Sequence, residues 1–342
     1  MKAVRIHQHG GPEVLQYEDI PDPSYRPNEI LVRVRACALN HLDLWVRKGI
    51  PGENIPMPHI LGSDIAGEVM ACGELCQRIL PGQRVLLAPA LSCRQCEACV
   101  SGKDNECRQY TLWGTRIQGG NRELLPAPEW SAIPIPDDMS FEEAAAVPLV
   151  FLTAWHMLVE RVRLKPGEDV LVLSASSGVG SAAVQIAKLF HCRVIATAGG
   201  DAKAVKAAAL GADHVIDHYR QDIAAEVKKL TAKRGVDVVI EHVGAATWQK
   251  SLASLAAGGR LVTCGATTGY DVPTDLRFLF AKHQTIAGSY MGTLGELYTV
   301  LKFIFRKQLK PVVDSVFPLA EIRAAHERLE NKEQFGKIVL RV

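Results

Sequence analysis

The chain has 342 residues, 48% of them hydrophobic, which is enough for about two domains with cores of their own. Its 39 basic and 37 acidic residues nearly cancel, leaving +2, and no stretch forms a basic arm, which argues against a nucleic-acid or anionic-membrane surface. Nine cysteines, an odd number and mostly scattered, make no disulfide framework and fit a reduced compartment.

The N-terminus, MKAVRIHQHGG, lacks the apolar stretch of a signal peptide, so a cytoplasmic location is expected. Residues 29–39 (EILVRVRACAL), 64–73 and 82–90 read as short strands divided by Gly and Pro, the signature of a barrel or sandwich. Next, CRQCEACVSGKDNEC places Cys93, Cys96, Cys99 and Cys107 at C-x2-C-x2-C-x7-C. That is metal-ligand spacing, and it leaves open whether the metal does chemistry or holds a loop. The apolar run 144–159 falls short of the roughly 20 residues of a membrane span, and Pro148, Thr153 and His156 interrupt it. A buried segment is expected there, with no membrane partner.

The pattern changes near residue 150. Apolar strands (169–175, 193–200, 213–218, 236–244, 259–265) alternate with helices (177–190, 201–210, 221–231, 246–256), and a sixth strand is expected at 285–290. Such alternation predicts an α/β fold with a doubly wound parallel sheet covered on both faces. Two helices near 294–309 and 319–331 and a last strand at 337–342 complete the chain.

Within that pattern, VLVLSASSGVGSAAVQIAK runs from strand through a turn of small residues into a helix. Small residues let the backbone approach a pyrophosphate, and the helix start faces its charge. Ala175, Ser177 and Gly180 stand at the three glycine positions of the dinucleotide motif, so Ser177, Gly178, Val179 and Gly180 are the candidate cradle. Ala198 occupies the end of the second strand, where an NAD site usually has an acid; Asp201 comes three residues late and Lys203 lies just beyond. A missing acid and an available cation favour a 2′-phosphate, hence NADPH over NADH.

GGPEVLQYEDIPDP, NEILVRVRACALNHLDLWVRKG, PHILGSDIAGEV, LPGQRVL, SASSGVGSAAVQIAK, LGADHVID and FGKIVL together resemble the medium-chain dehydrogenase/reductase superfamily over nearly the whole chain. The resemblance implies a GroES-like β-barrel catalytic domain over 1–149 with a structural zinc lobe near 90–110. It implies a Rossmann nucleotide domain over 150–284, and a return segment, 285–342, that completes the catalytic domain. A homodimer through edge strands of the nucleotide domains is the family expectation.

The resemblance also bears on the metals. The four-cysteine run is similar to the family's structural zinc lobe, and four thiolates leave no tetrahedral position open for substrate, so one zinc holds a loop. The three catalytic-zinc ligands of the alcohol dehydrogenases align instead with Asn40, Ser63 and Leu149. Leucine cannot bind zinc, so no catalytic zinc is expected. An improvised site from His41, His59, Asp43 and Asp64 is the weaker alternative.

Without a metal, alkoxide chemistry has no obvious driver, whereas an enolate needs only hydrogen-bond donors. The implied activity is reduction of an activated C=C bond, as in the quinone oxidoreductase and acryloyl- or enoyl-CoA reductase branches, with a short enoyl-CoA thioester as substrate. A zinc alcohol dehydrogenase and a non-catalytic NADPH-binding protein are the rivals. Asn40 would bond the substrate carbonyl or cofactor ribose, His41 would contact phosphate or relay a proton, and Tyr290 would donate a proton. Thr153 resembles the threonine that meets the nicotinamide carboxamide. The backbones of 264–269 and 288–290, including Gly265 and Ser289, would flank the nicotinamide, and His218 or Tyr219 would stack on adenine.

Overall fold

The strand Glu29–Ala38 is the spine of the first unit, and its alternation is what makes it one. Ile30, Val32, Val34 and Ala36 are buried to 1% exposure or less, while the intervening positions are more open. A computed structural model describes all 342 residues and resolves them into two units, Met1–Leu149 with Pro311–Val342, and Val150–Lys310.

In the first unit a seven-stranded sheet runs in the order Val313–Pro318, Lys337–Arg341, Glu29–Ala38, Asp64–Cys72, Arg84–Leu87, Ala132–Pro134, with Leu124–Pro128 also on the spine. Two pairings shape the end of the spine. The C-terminal strand lies antiparallel to it with Val339 opposite Ala38, and Leu39 N–H reaches Ile338 O at 2.9 Å. On the other side Asp64 lies opposite Ala38. The last residues of the spine are therefore flanked by the start of the C-terminal strand and the start of Asp64–Cys72. The spine stops at Asn40, which begins the helix His41–Lys48. Apolar side chains fill both faces of the sheet: Val4, Ile6, Leu44 and Leu340 in one cluster, Ile30, Val32, Ile65 and Val85 in another.

In the second unit six strands form one parallel sheet: β1 Asp169–Val172, β2 Arg193–Ala198, β3 His214–Asp217, β4 Val236–Glu241, β5 Leu255–Thr263 and β6 Thr285–Gly288. Their order is 3-2-1-4-5-6 and every pairing is parallel. This is the doubly wound arrangement, whose strand order reverses between β1 and β4. The helix Gly178–Leu189 starts just beyond β1, at that reversal.

The expected boundary at 284 is displaced. Residues 285–310 stay with the nucleotide unit because β6 pairs with β5 and the helix Leu294–Phe305 follows it; the return begins at Pro311. The strand Val313–Pro318 and the helix His41–Lys48 were not expected from sequence. The apolar run 144–159 contributes to the helix Pro148–Trp155, which widens into a π-helical stretch at His156–Arg161. No helix is long and apolar enough to cross a membrane.

Candidate active site

Asn40 is the N-cap of the helix His41–Lys48 and pairs with Asp43, three residues on, in a capping box. Its side chain also meets two buried charges. Its Nδ2 donates to Asp64 Oδ2 at 2.9 Å, and its Oδ1 accepts from Lys337 Nζ at 2.5 Å. Lys337 Nζ also reaches Asp64 Oδ2 at 2.8 Å, and Leu149 N–H donates to Asp64 Oδ1 at 2.8 Å. Asp64 is fully buried and Lys337 is 3% exposed. Removing two such charges from water costs several kcal/mol each, recovered only where they are paired and otherwise hydrogen-bonded, as here.

These residues lie where a catalytic zinc was not expected. The Asn40 side chain and the Leu149 backbone N–H both donate to the carboxylate of Asp64. The third aligned residue, Ser63, is turned away and donates its hydroxyl to Trp113 O at 2.6 Å. The centre holds an ammonium, a group with donors only, among acceptors. The improvised alternative does not assemble: the four clustered cysteines are the only group of three or more potential ligands within reach of one ion. Asp43 instead accepts from the backbone N–H groups of Asn40, at 2.7 Å, and Gly62, at 2.9 Å. Burial pushes its carboxyl up to about 6 against those donors. His59 is buried and held neutral by the cost of charging it there. His41 starts the helix, its ring edge-on to Trp45 with centroids 6.1 Å apart.

In the second unit Ser177 caps the helix Gly178–Leu189, its Oγ accepting from Gly180 N–H at 2.9 Å. A side chain on Gly180 would begin 2.1 Å from Ser174 O, so the turn tolerates only glycine there. The N–H groups of Gly178 and Val179 have no carbonyl one turn earlier, which is how a helix start receives a phosphate. One neighbour escaped the sequence reading. His242, just beyond β4, directs Nε2 to Leu173 O at 3.0 Å and lies 3.5 Å from Ser177 Oγ, bracing the turn from the reversal point.

Ala198 ends β2, fully buried, and carries no ligand group. Opposite it in register stands Asp217, which accepts from Gly200 N–H at 3.3 Å and Tyr219 N–H at 3.0 Å. Tyr219 is 75% exposed; its ring lies against Gly199, where a Cβ would come within 2.4 Å of it, and edge-on to His218 at 4.6 Å. Lys203 lies in the first turn of the helix Asp201–Ala209. On the far side of the sheet, Ser289 N–H donates to Thr263 O at 2.9 Å and Thr263 Oγ1 to Gly265 O at 3.1 Å. Ser289 Oγ is buried without a protein partner, the kind of orphan a bound ligand satisfies. Thr153, 4% exposed, reaches Met291 Sδ at 3.7 Å, which puts it beside the same loop. Tyr290 is 62% exposed and not a packed aromatic.

The four cysteines form a separate centre in the first unit, their sulfurs all within 4.8 Å of one another. Cys93 and Cys99 sulfurs are 3.8 Å apart and Cys93 and Cys107 sulfurs 3.5 Å; a zinc with tetrahedral bonds of about 2.3 Å sets its sulfurs roughly 3.8 Å apart. Backbone N–H groups of Gln95 and Cys96 draw the Cys93 thiol down to about 6, toward the thiolate a metal needs. The donor set fits a closed zinc site.

Residues 26–137 match the alcohol dehydrogenase GroES-like domain and residues 178–306 the zinc-binding dehydrogenase domain. A crystal structure of an NAD-dependent alcohol dehydrogenase is 44% identical, with a TM-score of 0.97 and both chains fully covered. The chain belongs to the medium-chain dehydrogenase/reductase superfamily. It is an oxidoreductase of that superfamily, whose members bind NAD(P). A quinone oxidoreductase from Pseudomonas aeruginosa is 32% identical over 99% of both chains. A crotonyl-CoA carboxylase/reductase from Cereibacter sphaeroides is 29% identical over 99% of this chain and 86% of its own.

Proposed function

We propose that this superfamily member is an NADPH-dependent reductase of an activated C=C bond, acting on a short-chain enoyl-CoA without a catalytic metal. One observation carries the reading: the Lys337 ammonium and the Asp64 carboxylate lock Asn40 where a metal enzyme would need a ligand. A carbonyl reduced to alkoxide concentrates nearly a full charge on one oxygen, for which a metal supplies several kcal/mol. An enolate spreads that charge, and one or two hydrogen bonds suffice. The quinone and crotonyl-CoA enzymes among the relatives support this reading by name.

When bound, the nicotinamide supplies the hydride. Thr153, Gly265 and Ser289 hold its ring end, and the turn Ser177–Gly180 holds the pyrophosphate. Asn40 Nδ2–H bonds the substrate's carbonyl oxygen as it gains enolate charge, and His41 or Tyr290 delivers the proton to the α-carbon. Zinc on Cys93, Cys96, Cys99 and Cys107 holds its lobe and takes no part. NADPH is proposed over NADH because no carboxylate ends β2 and Lys203 stands in the next turn. A homodimer is proposed through the outer edge of β6; the helix Leu276–Ala281 that precedes this strand exposes Leu276, Phe278 and Phe280. The nine free cysteines suit a cytoplasmic setting.

The competing reading is alcohol oxidation, the activity in the name of the 44%-identical structure. A substrate panel separates the two. With crotonyl-CoA, an enone, a quinone and primary alcohols, assayed before and after chelation, C=C reduction is expected to dominate and to be insensitive to any metal but the lobe zinc. Alcohol turnover that outpaces it and dies on removal of a second zinc would overturn the proposal.

A further inference from the structure

We propose that Lys337 is a positioning residue: its ammonium fixes the Asn40 amide so that a hydrogen-bond donor, never an acceptor, is offered to the substrate. The inference rests on the C=C reductase reading and deepens it. An unconstrained Asn amide can turn over and exchange its C=O for its NH2. Here it cannot. Lys337 Nζ has donors only and must face Oδ1, 2.5 Å away, while the Asp64 carboxylate has acceptors only and must face Nδ2, 2.9 Å away. Turning the amide would set donor against donor and acceptor against acceptor inside a buried site.

The proton count identifies the group on offer. Asn40 Nδ2 carries two hydrogens: one goes to Asp64 Oδ2, and the other has only a long contact of 3.5 Å to Ala38 O. That second N–H is available to an incoming oxygen. The ammonium on Oδ1 polarises the amide and strengthens it as a donor. The backbone supports the same geometry. Asn40 N–H is tied to Asp43 Oδ2 at 2.7 Å, and strand register carries Lys337 to the end of the spine. Lys337 acts through Asn40 and needs no contact with substrate.

The test compares Lys337→Met, Lys337→Arg and the double variant Lys337→Met/Asp64→Asn with the parent. Loss of the lock is expected to lower kcat for the enone by roughly tenfold or more, with the dissociation constant for NADPH unchanged. The arginine variant, still cationic, is expected to recover part of the rate. The double variant removes both charges and is expected to regain the parent's melting temperature without its kcat. A double variant that melts and turns over like the parent overturns the proposal.

A second readout does not depend on the reaction. Hydrogen exchange at the Asn40 side-chain amide, followed by 15N NMR, is expected to run roughly tenfold faster in Lys337→Met, because the amide is no longer held. Equal exchange rates overturn the positioning role. A parent that reduces no C=C bond while this exchange difference persists overturns the reductase reading and leaves the lock standing.

Discussion

At residue scale the decisive group is Asn40, an N-cap whose side chain is held between two buried charges. If its Nδ2–H meets the developing enolate, removing it takes away one transition-state donor, worth about 3 kcal/mol. Asn40→Ala is expected to lose on the order of a hundredfold in kcat for an enone, with a smaller change in KM. Steady-state kinetics check this, and a loss confined to KM would remove Asn40 from the reaction. Asn40, Ser63 and Leu149 could be singled out through the family resemblance, because each falls within a short motif. Lys337 could not. Its partners Asn40 and Asp64 lie 297 and 273 positions away, and only strand register brings the three together. His242 escaped for a similar reason: it meets Ser177, 65 residues away, through the parallel pairing of β1 with β4.

At the scale of elements, local spacing was legible and long-range docking was not. The cysteine lobe could be read directly because its ligands fall within one short segment. Elemental analysis is expected to find one zinc per chain, and Cys107→Ser is expected to lose it and to lower the melting temperature, since metal binding is coupled to folding of the lobe. A retained second zinc on which activity depends would contradict the assignment. The clasp between the helices His41–Lys48 and Ile322–Glu330 was invisible in sequence. Arg47, fully buried, donates to His326 Nδ1 at 3.0 Å and to Glu330 Oε1 at 2.6 Å. An arginine has only donors, so Nδ1 must accept and His326 must be neutral. Burial, reinforced by the Arg47 charge, pulls its imidazole from 6.5 down to about 3. The unfolded chain takes up this proton near pH 6.5 and the folded chain refuses it. The resulting stabilisation is complete above pH 6.5 and is lost as the pH falls toward 3, by on the order of 4 kcal/mol. Urea unfolding at pH 7 and pH 4 is expected to show a drop that shrinks by about 3 kcal/mol in His326→Gln. An unchanged drop would mean that the clasp does not exclude the proton.

At the scale of the whole molecule, the strand–helix alternation announced the nucleotide unit because parallel strands buried on both faces read as uninterrupted apolar runs. The end of that unit, placed at 284 by the family resemblance, falls short of β6 and its following helix; both elements were legible in the sequence, but which unit they join is set by the pairing of β6 with β5. Cofactor choice belongs to this scale as well. Ala198 and Lys203 favour a 2′-phosphate, but a lysine in this setting contributes only on the order of 1 kcal/mol, so a mild preference is expected. Comparing kcat/KM for NADPH and NADH in the parent and in Lys203→Ala checks it; NADH preferred, with no effect of the substitution, would reverse the assignment.

The central claim is that this chain adds hydride to carbon in a conjugated system and not to a carbonyl carbon held on a metal. The direct measurement is the position of label in the product. With NADPH deuterated at the transferring position and crotonyl-CoA or an enone as acceptor, mass spectrometry and NMR are expected to find one deuterium at the β-carbon of a saturated product whose carbonyl is intact. Deuterium on a carbinol carbon, with the double bond untouched, would contradict the account.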